Sequence, residues 1–337
     1  MADNSSTSNS RPWYIALPKL AVIIALLWAT DLGLGTVLAH FHARTTEGDF
    51  GGRINLALRH PSDLVILGSS RAKHHYIPEI IQGETGWSVM NAGFDAQTLL
   101  CHYGMEQLVL AAYRPKAVVL EIGAEDLKAS NLSGARDKLS VLLPYYRTGN
   151  AALRELLLQR SPYEYAKLWS RTYPYNSQIM PIVKYTLSPS SEGGSLSGGY
   201  VPYYGSDLKR IVDLKKRQAE TRQGQPALPF VEPAPELLAV LTSFVRSAEA
   251  AGVRPVIVHS PLWMEPGLED KPQDHLIECL AQATASMKVP FLNVSLAAYP
   301  ELKQPEFFKD TIHLNDTGAK IFSKVVGREL TKVLAMQ

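Results

Sequence analysis

Cysteine is nearly absent. Cys101 and Cys279 are the only two in 337 residues, and their spacing fits no metal site and no disulfide framework. Both fall in helix-like patterns, where a lone cysteine behaves as a small apolar side chain; a disulfide stays open if the domain is exported. Net charge is equally scarce. Lys and Arg number 34 against 32 Asp and Glu, a net charge of +2, which excludes the basic surface that nucleic acid requires. Long apolar runs are scarce too, with one exception near the N-terminus. The hydrophobic content is nonetheless 46%, which argues against disorder and leaves room for one large α/β domain plus extras.

The exception is Leu20 to Ala39, preceded by Trp13 and Tyr14. About 20 apolar residues suffice to cross a hydrocarbon core of about 30 Å, and aromatic residues suit its interface. Residues 13–41 are therefore expected to form a transmembrane anchor, with residues 1–12 a polar, disordered cytoplasmic tail. A cleaved signal peptide is the alternative. Its apolar core would be Leu20 to Leu27, but Trp28 to His42 is too long and too apolar for a clean cleavage region. Asp31 interrupts the span at a cost of roughly 2.5–3.5 kcal/mol on insertion scales. It must lie near the far boundary or meet a partner helix. Residues 42–62, with Gly48, Gly51, Gly52 and Pro61, read as a linker with about one helical turn.

From Asp63 onward the pattern alternates. Strand-like runs fall at about 64–68, 87–91, 117–122, 254–259 and 291–294, with helical periodicity between them and a last helix over about 316–334. Alternation of this kind predicts a three-layer α/β/α sandwich around a five-stranded, mainly parallel sheet. Leu64–Leu67 ends in Gly68-Ser69-Ser70, placing hydroxyls at the carboxyl end of a central strand, where open α/β sheets bind ligands. Far downstream, Asp310-Thr311-Ile312-His313 precedes the last helix. That spacing lets a carboxylate hold one imidazole nitrogen and leaves the other free to take a proton from a serine.

These motifs resemble those of SGNH (GDSL-like) hydrolases. Gly68-Ser69-Ser70 matches the Gly-Asp-Ser block, with Ser69 in the Asp position and Ser70 in that of the nucleophile. Asn91-Ala92-Gly93 matches the second block and Asp310-x-x-His313 the last. The third block, Gly-x-Asn-Asp, is here Gly123-Ala124-Glu125-Asp126, and an ionised Glu125 cannot donate to an oxyanion. The resemblance covers roughly residues 60–130 and 235–337. It implies a flavodoxin-like SGNH domain over 63–337, with Ser70, His313 and Asp310 catalytic, the N–H groups of Ser70 and Gly93 as the oxyanion hole, and Glu125 at its third position. A nucleophile elbow of the α/β-hydrolase kind also fits Gly68 to Ala72. Against it, the serine follows the first strand of the domain, and Asp310 and His313 share one turn.

Residues 127–235 are expected to be an insertion at the rim of the site. Tyr145, Tyr146, Tyr163, Tyr165, Trp169, Tyr173, Tyr175 and Tyr185 crowd its first half. A Ser/Gly-rich stretch from Ser188 closes in Tyr200-Val201-Pro202-Tyr203-Tyr204. These rings either pack a small core of their own or form a lid or substrate platform. Arg71, Asn91, Tyr200 and Tyr203 are the candidate substrate rim, although a surface arginine at a helix start is the plainer reading of Arg71. His74 and His75 are adjacent and lack metal-type partners, so they read as structural or rim residues. No metal and no cofactor are expected. The implied function is that of a serine esterase or acyltransferase of the cell envelope, acting on an acylated glycan or small acyl ester. Its implied partners are the membrane and a membrane-bound acyltransferase. The other reading is a non-catalytic envelope protein that keeps the fold to bind glycan or assemble a complex.

Overall fold

The structure, a computed structural model, describes residues 13–49, 51–187, 198–221, 231–265 and 271–335. The expected tail at 1–12, the Ser/Gly-rich stretch at 188–197 and the first half of the 226–235 linker lie outside the described residues.

Five strands form one sheet: β1 Leu64–Gly68, β2 Val89–Asn91, β3 Ala117–Glu121, β4 Arg254–His259 and β5 Phe291–Asn293. Their order is β2-β1-β3-β4-β5 and every neighbouring pair is parallel. This is the flavodoxin-like order, with its switch point between β1 and β3. The apolar runs alternate faces, as a period of two requires. Leu64 and Ile66 enter one core with Phe308, Phe322 and Leu330, while Val65 and Leu67 enter the other with Leu108, Phe244 and Leu280. β1 and β3 are buried throughout, so their near-continuous hydrophobicity is that of a sheet covered on both faces.

Thirteen α-helices surround the sheet or extend from it among the described residues. They are α1 Trp13–Arg44, α2 Gly52–Arg59, α3 Ser70–His75, α4 Pro78–Thr85, α5 Leu99–Ala112, α6 Leu132–Lys138, α7 Ala151–Leu158, α8 Glu164–Lys167, α9 Ile179–Leu187, α10 Leu208–Thr221, α11 Pro235–Ala250, α12 Lys271–Met287 and α13 Asp316–Ala335. Helices α4 and α13 pack together beyond one face, and α5 and α11 pack together beyond the other.

The linker expected at 42–62 is more structured than its glycines suggest. Helix α2 buries Arg53, Ile54, Asn55 and Leu56. The Arg53 guanidinium donates to the carbonyls of Gly93, Asn91 and Gly199, pinning the loop after β2 to the insertion. Burial lowers its pKa to about 10, against the pull of Asp49 and Asp95. The insertion itself divides. Its first half, 127–187, buries Tyr145, Tyr146 and Tyr175 and packs on α1 and α5. Its second half, from Gly198 to α10, lies along the carboxyl ends of the strands, where Val201 N–H bonds Lys73 O and Asp207 N–H bonds Lys309 O.

Gly68 sits where β1 turns into α3. Its φ is +151°, and a Cβ there would lie 2.7 Å from the Glu121 Cβ and 2.8 Å from the Ala72 Cβ. Backbone conformation and space both reserve the position for glycine. Gly68→Ala is expected to lower unfolding stability by about 1–3 kcal/mol, from overpacking together with backbone strain, measured by denaturant titration of the purified protein.

Candidate active site

Three residues from two ends of the chain meet above β1. Ser70 is the first residue of α3, and its Oγ donates to His313 Nε2 at 2.7 Å. His313 Nδ1 donates to Asp310 Oδ2 at 2.9 Å. The ionised carboxylate can only accept, which places the imidazole proton on Nδ1 and leaves Nε2 as the acceptor for the serine. Asp310 Oδ1 also accepts from the backbone N–H groups of Ile312 and His313, both at 2.8 Å. Burial pushes the Asp310 carboxyl upward, but the His313 bond and the two amides outweigh it, so its pKa lies below the ordinary value of 3.8. The chain Ser70–His313–Asp310 is thus hydrogen-bonded end to end, with the base oriented and its acceptor nitrogen on the hydroxyl.

The adjacent histidines of α3 hold this arrangement. His75 is fully buried, and its Nε2 accepts the Leu314 N–H at 3.0 Å. Burial, with His313 and Arg71 nearby, keeps its pKa far below the usual range, so the ring stays neutral and can accept. The turn carrying His313 is thereby tied to the helix carrying Ser70. His74 bonds the Val201 carbonyl through Nδ1 at 2.6 Å and Asp95 through Nε2 at 3.1 Å. The Tyr203 ring stacks on it with centroids 3.7 Å apart and meets His313 edge-on at 5.5 Å. Lys73, also on α3, is clamped by Asp49 at 2.9 Å and Asp95 at 2.7 Å.

The insertion's second half is stitched along this edge. Besides the bonds from Val201 and Asp207, Asp316 N–H donates to Tyr203 O and Lys215 Nζ to Thr311 Oγ1. Tyr203 therefore stands beside the triad. Tyr200 does not belong to a rim: it is buried and its hydroxyl donates to Asp316 Oδ1 at 3.0 Å, bracing the start of α13. Beside it a groove of about 310 Å³ is lined by Tyr203, Tyr204, Asn315 and Asp316.

Two more rim candidates are corrected. Arg71 is neither a surface arginine nor a rim residue. Its guanidinium is buried and pairs with Glu121 at 3.1 Å. Glu121, at the end of β3, also accepts from the Tyr76 hydroxyl at 2.5 Å and the Ser260 hydroxyl at 2.7 Å. Burial raises its pKa, with Arg71 and these hydroxyls opposing. Asn91 is fully buried: its amide donates to the carbonyls of Ala72 and Tyr76, and its Oδ1 accepts the Gly93 N–H at 2.9 Å. That last bond also corrects the oxyanion assignment of Gly93, whose amide is spent inside its own loop. Glu125 is exposed and pairs with Lys128 at 2.8 Å. Nothing in the residue pattern singles out Ala96, an exposed residue in the loop after β2 held at φ +56°. Strain of this kind in a non-glycine residue gathers at functional sites.

Away from the triad, Glu232, His275 and Cys279 bring ligand atoms within 4.8 Å of one another, a mixed O, N and S set compatible with zinc. Cys101 and Cys279 are both free thiols, the first buried.

No family model matches the sequence and no curated protein matches it. Among solved structures the chain is similar to a protein assigned to the G-D-S-L lipolytic family from Desulfitobacterium hafniense, at 11% identity and a TM-score of 0.39, over 79% of this chain and 97% of that one. It is also similar to a GDSL-like lipase from Bacteroides thetaiotaomicron, at 11% identity and a TM-score of 0.37, over 80% and 88%. Scores this low carry no argument; the chain's own geometry does.

The depressed pKa of Asp310 has a thermodynamic consequence. Its contribution to stability is complete above the unfolded carboxyl value of 3.8 and is lost as pH falls through the lower folded value. Asp310→Asn is expected to flatten the stability–pH curve on its acid side while changing its shape little above pH of about 6, by denaturant titration at stepped pH. The parallel β2-β1-β3-β4-β5 sheet thus brings a serine just after its first strand into hydrogen-bond contact with the Asp310-x-x-His313 turn before the last helix.

Proposed function

We propose that this protein is a serine-dependent esterase or acyltransferase that acts on an acylated cell-envelope or exopolysaccharide glycan, or on a small acyl ester. The observation that carries the reading is the continuous hydrogen-bonded chain from Ser70 through His313 to Asp310. In the reaction, His313 Nε2 takes the Ser70 proton as Oγ attacks the acyl carbon, then returns it to the leaving alcohol. Asp310 keeps the imidazole in its tautomer and stabilises the imidazolium. The Ser70 N–H lies in the first turn of α3, where a helix offers its amides no acceptor, and it faces the developing oxyanion. The acyl-enzyme then passes to water or to an acceptor hydroxyl, and the two outcomes share every earlier step.

Helix α1, as an uncleaved anchor, would hold the domain on the periplasmic or extracellular side, beside a membrane-bound acyltransferase that supplies or receives the acyl group. Support for the anchor comes from its length and composition: the helix over Leu17–Arg44 contains an 18-residue window with a mean hydropathy of 2.0. Support for a sugar-sized substrate comes from Tyr203 and Tyr204, which line the groove next to the triad.

Two outcomes test the mechanism. Ser70→Ala and His313→Ala are each expected to abolish release of p-nitrophenol from p-nitrophenyl acetate to a comparable degree, because members of a triad act as a unit. Ser70→Ala should also remove covalent labelling by a fluorophosphonate; retained labelling would move the nucleophile to another residue. Glu125→Asn is expected to leave turnover within about twofold of the parent, since the side chain is exposed and salt-bridged. Had it lain in the oxyanion position, a gained donor would raise the rate by about 10²–10³.

A further inference from the structure

Helix α1 leaves the domain at a defined height. From Leu17 to Thr30 every residue is exposed, including Leu26 at 61% and Trp28 at 65%. The first residue to touch the domain is Asp31. Its carboxylate accepts from Ser170 Oγ and the Arg171 N–H, both at 2.6 Å, and from the Thr172 N–H at 3.1 Å, while Thr172 Oγ1 donates to the Asp31 carbonyl. One turn later the Arg171 backbone lies directly on Gly35, where a Cβ would come within 2.6 Å of the Arg171 carbonyl carbon. The helical stretch from Trp13 to Thr30 is about 27 Å long at 1.5 Å per residue. That is close to the hydrocarbon thickness of about 30 Å. The charge in the apolar span thus stands at the end of the free helix, with its oxygens already satisfied by the 170–172 loop.

That loop is the continuation of an exposed aromatic segment. Tyr163, Tyr165 and Trp169 are 73%, 62% and 75% exposed, and the rings of Tyr165 and Trp169 meet edge to face at 6.3 Å. The segment is firmly built underneath. Glu164, buried at the start of α8, accepts from Arg160 Nη1 and the Tyr173 hydroxyl, both at 2.5 Å, and from Ser161 Oγ at 3.1 Å. Lys167 and Arg171 add exposed cations on either side of Trp169. Exposed Tyr and Trp with flanking Lys and Arg are the side chains that favour the headgroup region of a bilayer, above all one with anionic lipid.

We propose that Tyr163–Trp169 is a membrane seat: the aromatic segment rests in the headgroup layer at the level of Asp31 and fixes the height and tilt of the whole domain on the bilayer. The proposal rests on the reading of α1 as an uncleaved anchor. Two features separate it from ordinary surface exposure. The segment is continuous with the Asp31 contact, which marks where the lipid-length helix ends, and its aromatic and cationic composition is complementary to an interface rather than to a dry protein groove.

The test uses the full-length protein in vesicles of phosphatidylethanolamine and phosphatidylglycerol, with and without brominated acyl chains. In a Cys279→Ser background, Tyr165→Cys or Trp169→Cys is labelled with an environment-sensitive fluorophore, and Lys303→Cys, on the exposed surface near α13, is the control. Labels at 165 and 169 are expected to lose emission to bromolipid and resist aqueous iodide, with the reverse at 303. Labels at 165 and 169 that behave like the control, in protein retained by the membrane after a carbonate wash, would overturn the seat while leaving the anchor intact. Labels shielded from both quenchers would overturn it in favour of a protein partner. Release of the protein by carbonate would instead remove the anchor reading, and the seat with it.

Discussion

The hydrogen bond from the Leu314 N–H to His75 Nε2 ties together the two elements that carry the Ser70–His313 contact. Ser70 rides on α3 and His313 on the turn before α13, and 243 residues separate them in sequence. Their hydroxyl–imidazole contact is only as reliable as the packing of one element on the other. The bond requires a neutral His75, and burial supplies that condition by penalising the cation. Phe322 extends the same junction, packing edge-on against His75 at 5.8 Å and Tyr76 at 5.0 Å. Ser323 completes it by donating to the His75 carbonyl and accepting the Ile77 N–H.

Beneath the triad the carboxyl ends of β1, β3 and β4 carry a second polar layer. A buried arginine and a buried glutamate are expensive to desolvate and are tolerated only when the pair is fully hydrogen-bonded. Here Arg71 faces Glu121, and Tyr76 and Ser260 occupy the remaining carboxylate positions. His259, its pKa lowered to about 3 by burial and by Arg71, bonds the Ile122 carbonyl. Removing one member would leave the others with unpaired polar atoms in a dry interior, so the layer behaves as a unit.

Strand positions and the pairing of Ser70 with Asp310 and His313 were legible in the sequence, because apolar runs stopped by glycine and the three-residue Asp–His spacing are local signals. The structure departs from the sequence pattern where a side chain turns inward. Asn91 ends β2, where its residue type reads as a rim residue, yet its amide folds back to satisfy three backbone groups. Arg71 follows Ser70 at a helix start and reads as exposed, but a glutamate 50 residues away claims it. Neither partner is predictable without the tertiary fold. Helix α2 is longer and more buried than the single turn expected there, because its anchoring lies in one long-range residue, Arg53, while its glycine-rich surroundings mimic a linker. The tyrosine-rich insertion is continuous in sequence, yet its halves serve different neighbours, α1 and the triad.

Helix α1 continues without a break from Trp13 to Arg44 and is clasped by Ser170, Arg171 and Thr172 where it meets the domain. Such a stem is a lever and not a leash. A flexible tether of the same number of residues would let a domain wander over a hemisphere and reach ligands at many distances from the bilayer. A clasped helix removes those degrees of freedom: the domain moves with the helix, turning about one axis and drifting in one plane. On the proposed reading of α1 as an anchor and Ser70 as a nucleophile, the site is confined to a shell of fixed radius from the stem, to which acyl donor and acceptor would both have to be brought.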